Sequence, residues 1–204
     1  MPAARPDRRT ERTRAALMSA FVGLLLDEGY EAVTVERVAE RANVGRSTFY
    51  MHYTGKDDIM RQSLARPSGV LAALAGGDLP AEPIVRQLEH FHQQRARNHV
   101  FFSGPSRAIW IKCLAGLVEP RLAKLAQQVR TRPLVPLPLA ALQIAEAQLG
   151  LIANWLSAKS SPAKADAVAE ALLATTRALV AALLRAEAPV LMAGERLTFR
   201  VVAT

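Results

Sequence analysis

The sequence predicts an all-α protein. Half of its 204 residues are hydrophobic but only 5% are aromatic, a balance typical of helices rich in Ala and Leu rather than of a β-sandwich. Apolar residues recur at helical spacing along most of the chain. Two long segments, at about 138–158 and 163–186, are apolar on more than one helical face. The chain is long enough for one compact unit or two small domains.

The first predicted helix runs from about Thr10 to Glu28 and ends at Gly29, a residue typical of helix C-termini. Its apolar residues share one face, as expected of a helix that packs on a core: Leu17, Ala20, Phe21, Leu24 and Leu25. An Arg-rich segment precedes this run, as in a signal peptide. Charged residues follow it instead of a small-residue cleavage site, so we interpret it as a core-facing helix.

A second, shorter helix is predicted to begin at Val35. Thr34 is a good N-cap residue, and Val33 and Val38 occupy the two positions of a hydrophobic staple. Apolar residues then recur at helical spacing, and the small Ala39 permits the close approach of another helix.

A turn and a third helix are predicted directly after it. Asn43 tolerates the left-handed conformation that such a turn needs, and Gly45 can cap the helix that follows. Arg46, Ser47 and Thr48 then form the first turn of that helix. The layout is a helix-turn-helix, in which this first turn meets the base edges of DNA.

Residues 10–60 resemble the N-terminal domain of the TetR family of bacterial transcriptional regulators. The resemblance covers about a quarter of the chain, and the remainder is similar to the family only in length and helical character. The matching residues are Arg12-Thr13-Arg14, Glu28-Gly29-Tyr30, Val33-Thr34-Val35, Val38-Ala39, Ala42-Asn43-Val44, Ser47-Thr48-Phe49-Tyr50, Tyr53 and Gly55-Lys56-Asp57.

Three positions depart from the commonest family pattern. Asn43 stands where Gly is usual, Gly45 where Ser usually caps the recognition helix, and Thr54 where Pro is frequent. Each replacement suits its backbone role, but Gly45 lacks the hydroxyl with which Ser would contact a phosphate.

The resemblance implies a DNA-binding domain at residues 1–55 and a helical ligand-binding and dimerisation domain at 56–204. In the TetR family the last two long helices form a four-helix dimer interface, and the segments 138–158 and 163–186 stand in the matching place. Each must bury more than one side. We therefore expect a homodimer, although the same pattern also fits two central helices of a monomer core.

The remaining elements are predicted from caps and breakers. A helix should begin after Gly55, with Thr54 and Asp57 as a capping box, and kink or break near Pro67. The rest are a loop at 76–83, helices at about 84–98, 103–117 and 120–130, a proline-rich connector at 133–138, a loop at 160–162, and a tail from residue 188 that is β-like at 197–202 or disordered.

Candidate DNA contacts follow the helix-turn-helix. Arg46 can pair bidentately with guanine, and the hydroxyls of Ser47 and Thr48 can reach a base or a phosphate. The resemblance suggests phosphate contacts for Tyr50 and His52, and His52 also fits a plain surface histidine.

Two helix N-termini are further candidates. Lys56 lies in the first turn of its helix, where a cation opposes the helix dipole, so a nearby DNA phosphate would explain it. Thr34 also stands at a helix start that could face a phosphate, and capping alone explains it equally well.

Large aromatics with a few polar groups predict a small-molecule pocket in the middle of the chain, at Phe91, Phe102, Trp110, Cys113, Gln148 and Trp155. Ordinary core positions would show the same pattern. We expect no metal, because His90 and His92 point to different faces of a helix and no further ligand is suitably spaced. No cofactor is expected.

Charge and motifs narrow the possible classes of function. The net charge of +8 is compatible with a nucleic-acid partner, but residues 1–61 hold ten basic and nine acidic residues, so the total charge does not identify the DNA-binding end. The better indication is the basic arm formed by Arg5, Arg8, Arg9, Arg12 and Arg14. The sequence has no phosphate loop, nucleophile motif or paired carboxylates of an enzyme, and no aromatic platform for RNA. The single cysteine suits a reducing cytoplasm, and no uncharged apolar run reaches the roughly twenty residues that span a bilayer.

We therefore expect a cytoplasmic, dimeric regulator of transcription that binds a palindromic operator in double-stranded DNA. The resemblance implies a repressor that a small apolar or amphipathic inducer releases. The alternative is a DNA-binding regulator without such an inducer, controlled by a protein partner or constitutive.

Overall fold

A computed structural model describes residues 8–76, 81–157, 163–187 and 200–201. This part of the chain is helical apart from turns and one short strand pair, so the predicted all-α class is confirmed. Its helices are α1 Arg8–Glu28, α2 Val35–Arg41, α3 Arg46–His52, α4 Lys56–Gly76, α5 Ala81–Gln93, α6 Arg95–Asn98, α7 Gly104–Val129, α8 Leu137–Ser157 and α9 Ala165–Leu184, with a 3₁₀ turn at His99–Phe102.

The predicted caps and turns of the first three helices are present. Gly29 ends α1 with a φ of 83°, and Asn43 takes the left-handed conformation at φ 54° in the turn. The hydroxyl of Thr34 accepts a hydrogen bond from the N–H of Arg37 at 3.3 Å, and Val33 and Val38 are both buried. The predicted helix-turn-helix is therefore present. It could be predicted because each of these caps and turns depends on residues only a few positions apart.

The start of α4 differs from the predicted capping box. The carboxylate that accepts from the N–H of Thr54, at 2.9 Å, belongs to Asp58 and not to Asp57. Asp57 instead accepts a hydrogen bond from the hydroxyl of Tyr30 at the end of α1. The prediction was wrong because the helix begins at Lys56, which puts Asp58 at its third position and leaves Asp57 free for a long-range contact.

α7 continues through Pro120, where two separate helices were expected, so that prediction is wrong. α4 also runs without a break through Pro67, where a kink or a break was expected. In α7, Val118 and Leu122 are fully buried on either side of the exposed Pro120. Continuous packing of the buried face outweighs the missing hydrogen bond, since tertiary contacts routinely override local propensity.

The opposite error concerns the single helix predicted at 84–98. The structure has α5, which starts already at Ala81, and a short α6, with the break at Gln94. Ile84 and Leu88 of α5 are buried, whereas Arg95 of α6 is exposed.

The long helices α8 and α9 lie within a few residues of their predicted bounds. By length and composition each is apolar enough to cross a membrane, but 50% and 44% of their most apolar stretches are buried inside the protein, as in core helices. They pack on each other, α8 also packs on α7, and α9 packs on α5.

After α9, strand β1 (Ala186–Glu187) pairs antiparallel with β2 (Arg200–Val201). These two residues of β2 form the described part of the predicted β-like stretch. The predicted loop at 160–162 and Arg5 of the basic arm lie outside the described residues.

Candidate DNA-binding surface and ligand cleft

One face of α3 is buried and the opposite face is open. Phe49 and Tyr53 anchor the helix, with ring centroids 5.6 Å apart, and both side chains are buried. The hydroxyl of Tyr53 donates to the backbone carbonyl of Arg14 in α1 at 3.4 Å. Tyr53, the residue directly after α3, thus links this helix to α1.

The open face of α3 contains most of the predicted DNA contacts. Arg46 and Ser47 are exposed, Tyr50 is 52% exposed, and Thr48 and His52 are half-buried towards the edges: the structure brings all five to one short helix. Sequence reasoning missed Met51, which is 81% exposed. It lies two positions after the buried Phe49 and hence nearly opposite it on a helix of 3.6 residues per turn, a signal present in the sequence.

Arg46 is not free on this face. Its guanidinium forms an ion pair with Glu36 of α2 at 2.9 Å, and both side chains are exposed. An exposed pair of this kind contributes little to stability, so a guanine or phosphate can replace the carboxylate.

Lys56 has an internal role that the sequence argument did not include. Its ammonium donates to the carbonyls of Tyr30 and Val33, both at 3.2 Å, and lies 4.5 Å from the centre of the Tyr30 ring. These contacts hold the α1–α2 connection and already account for a cation in the first turn of α4. An ammonium has three donors, so one remains for a phosphate.

Tyr30 is held from its other end. Its hydroxyl donates to Asp57, and burial, followed by this hydrogen bond, raises the pKa of Tyr30 far above its usual range. The hydroxyl is therefore a permanent donor, and the ring is a fixed platform for Lys56.

Asp27 links the helix-turn-helix to the rest of the protein. It accepts hydrogen bonds from Arg41 of α2 at 3.2 Å and from Arg97 of α6 at 2.8 Å. These contacts, with Arg41 as the larger cause, lower the pKa of Asp27 below its usual value. Gly23 permits this arrangement, because a Cβ there would lie 3.0 Å from the Arg41 guanidinium.

A cleft of about 670 Å³ lies where α1 meets α4 and α5. Two residues of the predicted pocket, Phe91 and Trp110, line it. The full lining is Val22, Leu26, Ser63, Leu64, Arg66, Pro67, Val70, Pro83, Arg86, Gln87, His90, Phe91, Gln94, Asn98, Phe101 and Trp110. Sequence reasoning missed the residues of α1 and α4, because nothing local indicates that these helices face α5.

Three other predicted ligand residues do not line this cleft. Phe102 is buried behind it, with its ring 4.8 Å from that of Trp110. Gln148 is buried and donates to the carbonyl of Leu71 and to the hydroxyl of Thr176. Cys113 is half-buried, and burial raises the pKa of its thiol, which opposes thiolate chemistry.

Trp155 also lies elsewhere, so the predicted residues do not form one pocket. Its ring stacks on His92 at 5.0 Å, and its indole N–H donates to the carbonyl of Ala163 at 3.0 Å. Phe91 contacts Trp110 instead, at 5.9 Å. These consecutive residues of α5 face different ways and separate the two tryptophans.

Comparison with known proteins agrees with this geometry. The family model described as bacterial regulatory proteins, tetR family, matches residues 17–62. The uncharacterised HTH-type transcriptional regulator YdeS of Bacillus subtilis is 42% identical over 55 residues, which are 27% of this chain and 28% of that protein. The HTH-type transcriptional regulator TcmR of Streptomyces glaucescens is 38% identical over 52 residues, 26% of this chain and 23% of that protein. The chain thus spans less than a third of the length of these curated relatives.

The remainder of the chain is matched by its fold. A TetR transcriptional regulator from Streptococcus agalactiae superimposes with a TM-score of 0.56 at 24% identity, over 83% of this chain and 96% of the other. That likeness extends the agreement from the helix-turn-helix to the C-terminal helices, as a likeness of fold. Residues 17–62 therefore match the tetR family of bacterial regulatory proteins, and the fold of the chain is similar to that of a solved TetR regulator.

Proposed function

We propose that this protein is a sequence-specific DNA-binding regulator of transcription in the cytoplasm, a dimeric repressor that a small apolar or amphipathic ligand releases from a palindromic operator. The open face of α3 is the observation that carries the proposal. Arg46, Ser47, Tyr50 and Met51 project from a short helix whose other side is buried, which is how a recognition helix enters a major groove. The match of residues 17–62 to the tetR family of bacterial regulatory proteins supports a binding role rather than a catalytic one.

The dimer is supported by apolar surface left uncovered on α8 and α9. Leu139 and Leu142 of α8 are exposed, at 54% and 38%. On α9 the exposed residues include Ala174, Ala178 and Ala182, whose small side chains allow a second helix to approach closely. A two-fold axis along this surface would present two recognition helices to two half-sites.

Ligand control is supported by the position of the cleft. Its walls include Val22 and Leu26 of α1, the helix that holds α3 through Tyr53, and Leu64 of α4. A ligand that fits only one arrangement of α1 and α4 would shift the recognition helices, and the operator would reciprocally weaken the ligand. The alternative, a regulator controlled by a protein partner or constitutive, gives this cleft no role.

The proposal is tested by selecting bound sequences from random double-stranded DNA and footprinting the best of them. We expect two half-sites related by a two-fold axis, with affinity that falls steeply as salt rises because several phosphates are contacted. An asymmetric footprint would contradict a dimer that binds two half-sites. The absence of any protected sequence would contradict DNA recognition altogether.

A further inference from the structure

We propose that the cleft between α1, α4 and α5 binds an amphipathic anion, an apolar molecule that carries a carboxylate at the mouth of the cleft. This inference rests on the proposed function, because it names the chemical class of the ligand that would control the regulator. Two features of the cleft support it: its charges and its apolar walls.

The charges that line the cleft are of one sign. Arg66 and Arg86 are its formally charged lining residues, His90 adds a titratable ring, and the lining contains no Asp or Glu. The Arg66 side chain makes no hydrogen bond or ion pair with any other residue in the described ranges. Arg86 pairs with Glu82 one turn earlier, but both side chains are largely exposed, so a ligand can compete for it.

The two arginines lie at the open side of the cleft. Arg66 and Arg86 are exposed, whereas Trp110, which also lines the cleft, is 1% exposed. A guanidinium binds a planar carboxylate through two parallel hydrogen bonds, and a cationic ligand would meet only repulsion there. The acidic group of the ligand therefore belongs at the mouth.

The opposite side of the cleft is buried. Trp110 lines it and is 1% exposed, and its indole nitrogen is itself buried, so a ligand in the cleft meets the ring and not the N–H. The inner end of the ligand is therefore apolar.

Between these ends the walls are mainly apolar. Val22, Leu26, Leu64, Val70, Phe91 and Phe101 contribute from four different parts of the chain. The volume of about 670 Å³ is typical of small-molecule sites. The cleft thus matches an apolar body with one acidic end.

The charge preference is tested by calorimetric titration of the full-length protein with decanoate, decan-1-ol and decylamine, which share one chain length and differ in the end group. We expect decanoate to bind about tenfold more tightly than decan-1-ol, because a charge-assisted hydrogen bond is added, and decylamine to bind most weakly. Arg66→Gln should remove most of that advantage. Lys124→Gln, which removes an exposed cation of α7 that does not line the cleft, should leave it unchanged.

The remaining outcomes separate this inference from the proposed function. Equal affinity for the three end groups, a preference for decylamine, or no binding of any of them would overturn the anion site. Operator binding is measured on the same samples. A carboxylate that binds without changing operator affinity would support the site and contradict ligand-controlled regulation.

Discussion

The guanidinium of Arg97 donates to the carboxylate of Asp27 at 2.8 Å and thereby joins α6 to α1 across 70 positions of sequence. The same carboxylate accepts from Arg41 at the end of α2. Gln94 and Asn98, on either side of Arg97, line the cleft, and so does Leu26 beside Asp27. The ligand proposed for the cleft would therefore contact residues on both sides of this ion pair, and we expect Asp27 to couple the cleft to the helix-turn-helix.

Arg97→Gln tests that link. The ligand-free protein should bind its operator with nearly unchanged affinity, because the pair is exposed and contributes little to stability. The ligand-induced loss of operator affinity, typically roughly 5–150-fold in allosteric proteins, should become several-fold smaller. Fluorescence anisotropy of labelled operator with and without ligand measures both. Arg107→Gln is the control, since it breaks an exposed ion pair between α7 and α8 that does not touch α1.

Arg46 and Glu36 should have opposite effects on operator binding. Arg46→Ala should weaken binding by roughly 1–3 kcal/mol and relax preference at one base position, if Arg46 reads guanine. Glu36→Gln should strengthen binding, because Arg46 no longer has to leave a carboxylate. Glu40→Gln, with the same charge change on α2, should give a smaller gain. An equal gain from both would show that general electrostatics, and not release of Arg46, is responsible.

Lys56 should affect both stability and DNA binding. Lys56→Met keeps the aliphatic part of the side chain but loses the two hydrogen bonds to backbone carbonyls, so we expect about 1–2 kcal/mol of destabilisation in denaturant titrations. Operator affinity should fall about equally for all sequences, with a salt slope smaller by about one phosphate. Lys56→Arg should restore the slope. If the salt dependence of operator binding is unchanged in Lys56→Met, Lys56 contacts no phosphate and only stabilises the connection between α1 and α2.

The dimer surface is tested at an exposed position. Leu139→Glu should prevent association because it places a charge in an apolar interface, and the protomer should stay folded because Leu139 is exposed. Sedimentation reports the mass, and circular dichroism reports the fold. Leu172→Glu would be a poor choice, since Leu172 is fully buried within the protomer. If the Leu139→Glu protein remains dimeric, the dimer interface lies elsewhere on the protein.

Asp58 should stabilise the protein at neutral pH but not in acid. Its hydrogen bond from the N–H of Thr54 is the main cause of its lowered pKa. This stabilisation is complete above the unfolded carboxyl pKa of about 3.9 and is lost as pH falls through the lower folded value. Asp58→Ala, which removes the acceptor as well as the charge, should therefore cost roughly 1 kcal/mol at pH 7 and progressively less below about pH 4, measured by denaturant titration.

Asp57→Asn is the matched control for this prediction. It removes the same charge from the same helical turn, but its side-chain carbonyl can still accept from Tyr30. An equal loss in both variants at pH 7 would mean that the helix dipole, and not the contact with Thr54, explains the effect.

The contrast between Pro67 and Asn43 shows how far the sequence could predict the fold. Asn43, Thr34 and Gly29 act on neighbours within a few positions, so their conformations were predictable. Pro67 and Pro120 are equally strong local signals, yet both helices continue through them. At these points buried side chains on both sides of the proline decide the outcome, and those contacts come from distant segments.

The candidate sites show the same contrast between what local sequence signals predict and what contacts between distant segments determine. The helical class, the helix-turn-helix and the exposed side of α3 could be predicted from the amino-acid sequence, because periodicity and capping are local. The sequence also indicated Phe91 and Trp110, but combined them with Trp155, which lies on another side of α5. The cleft and the Asp27–Arg97 contact, by contrast, could be seen only in the folded protein. Both depend on how α1, α4, α5 and α6 pack together, and no spacing within one helix reports which helix lies opposite.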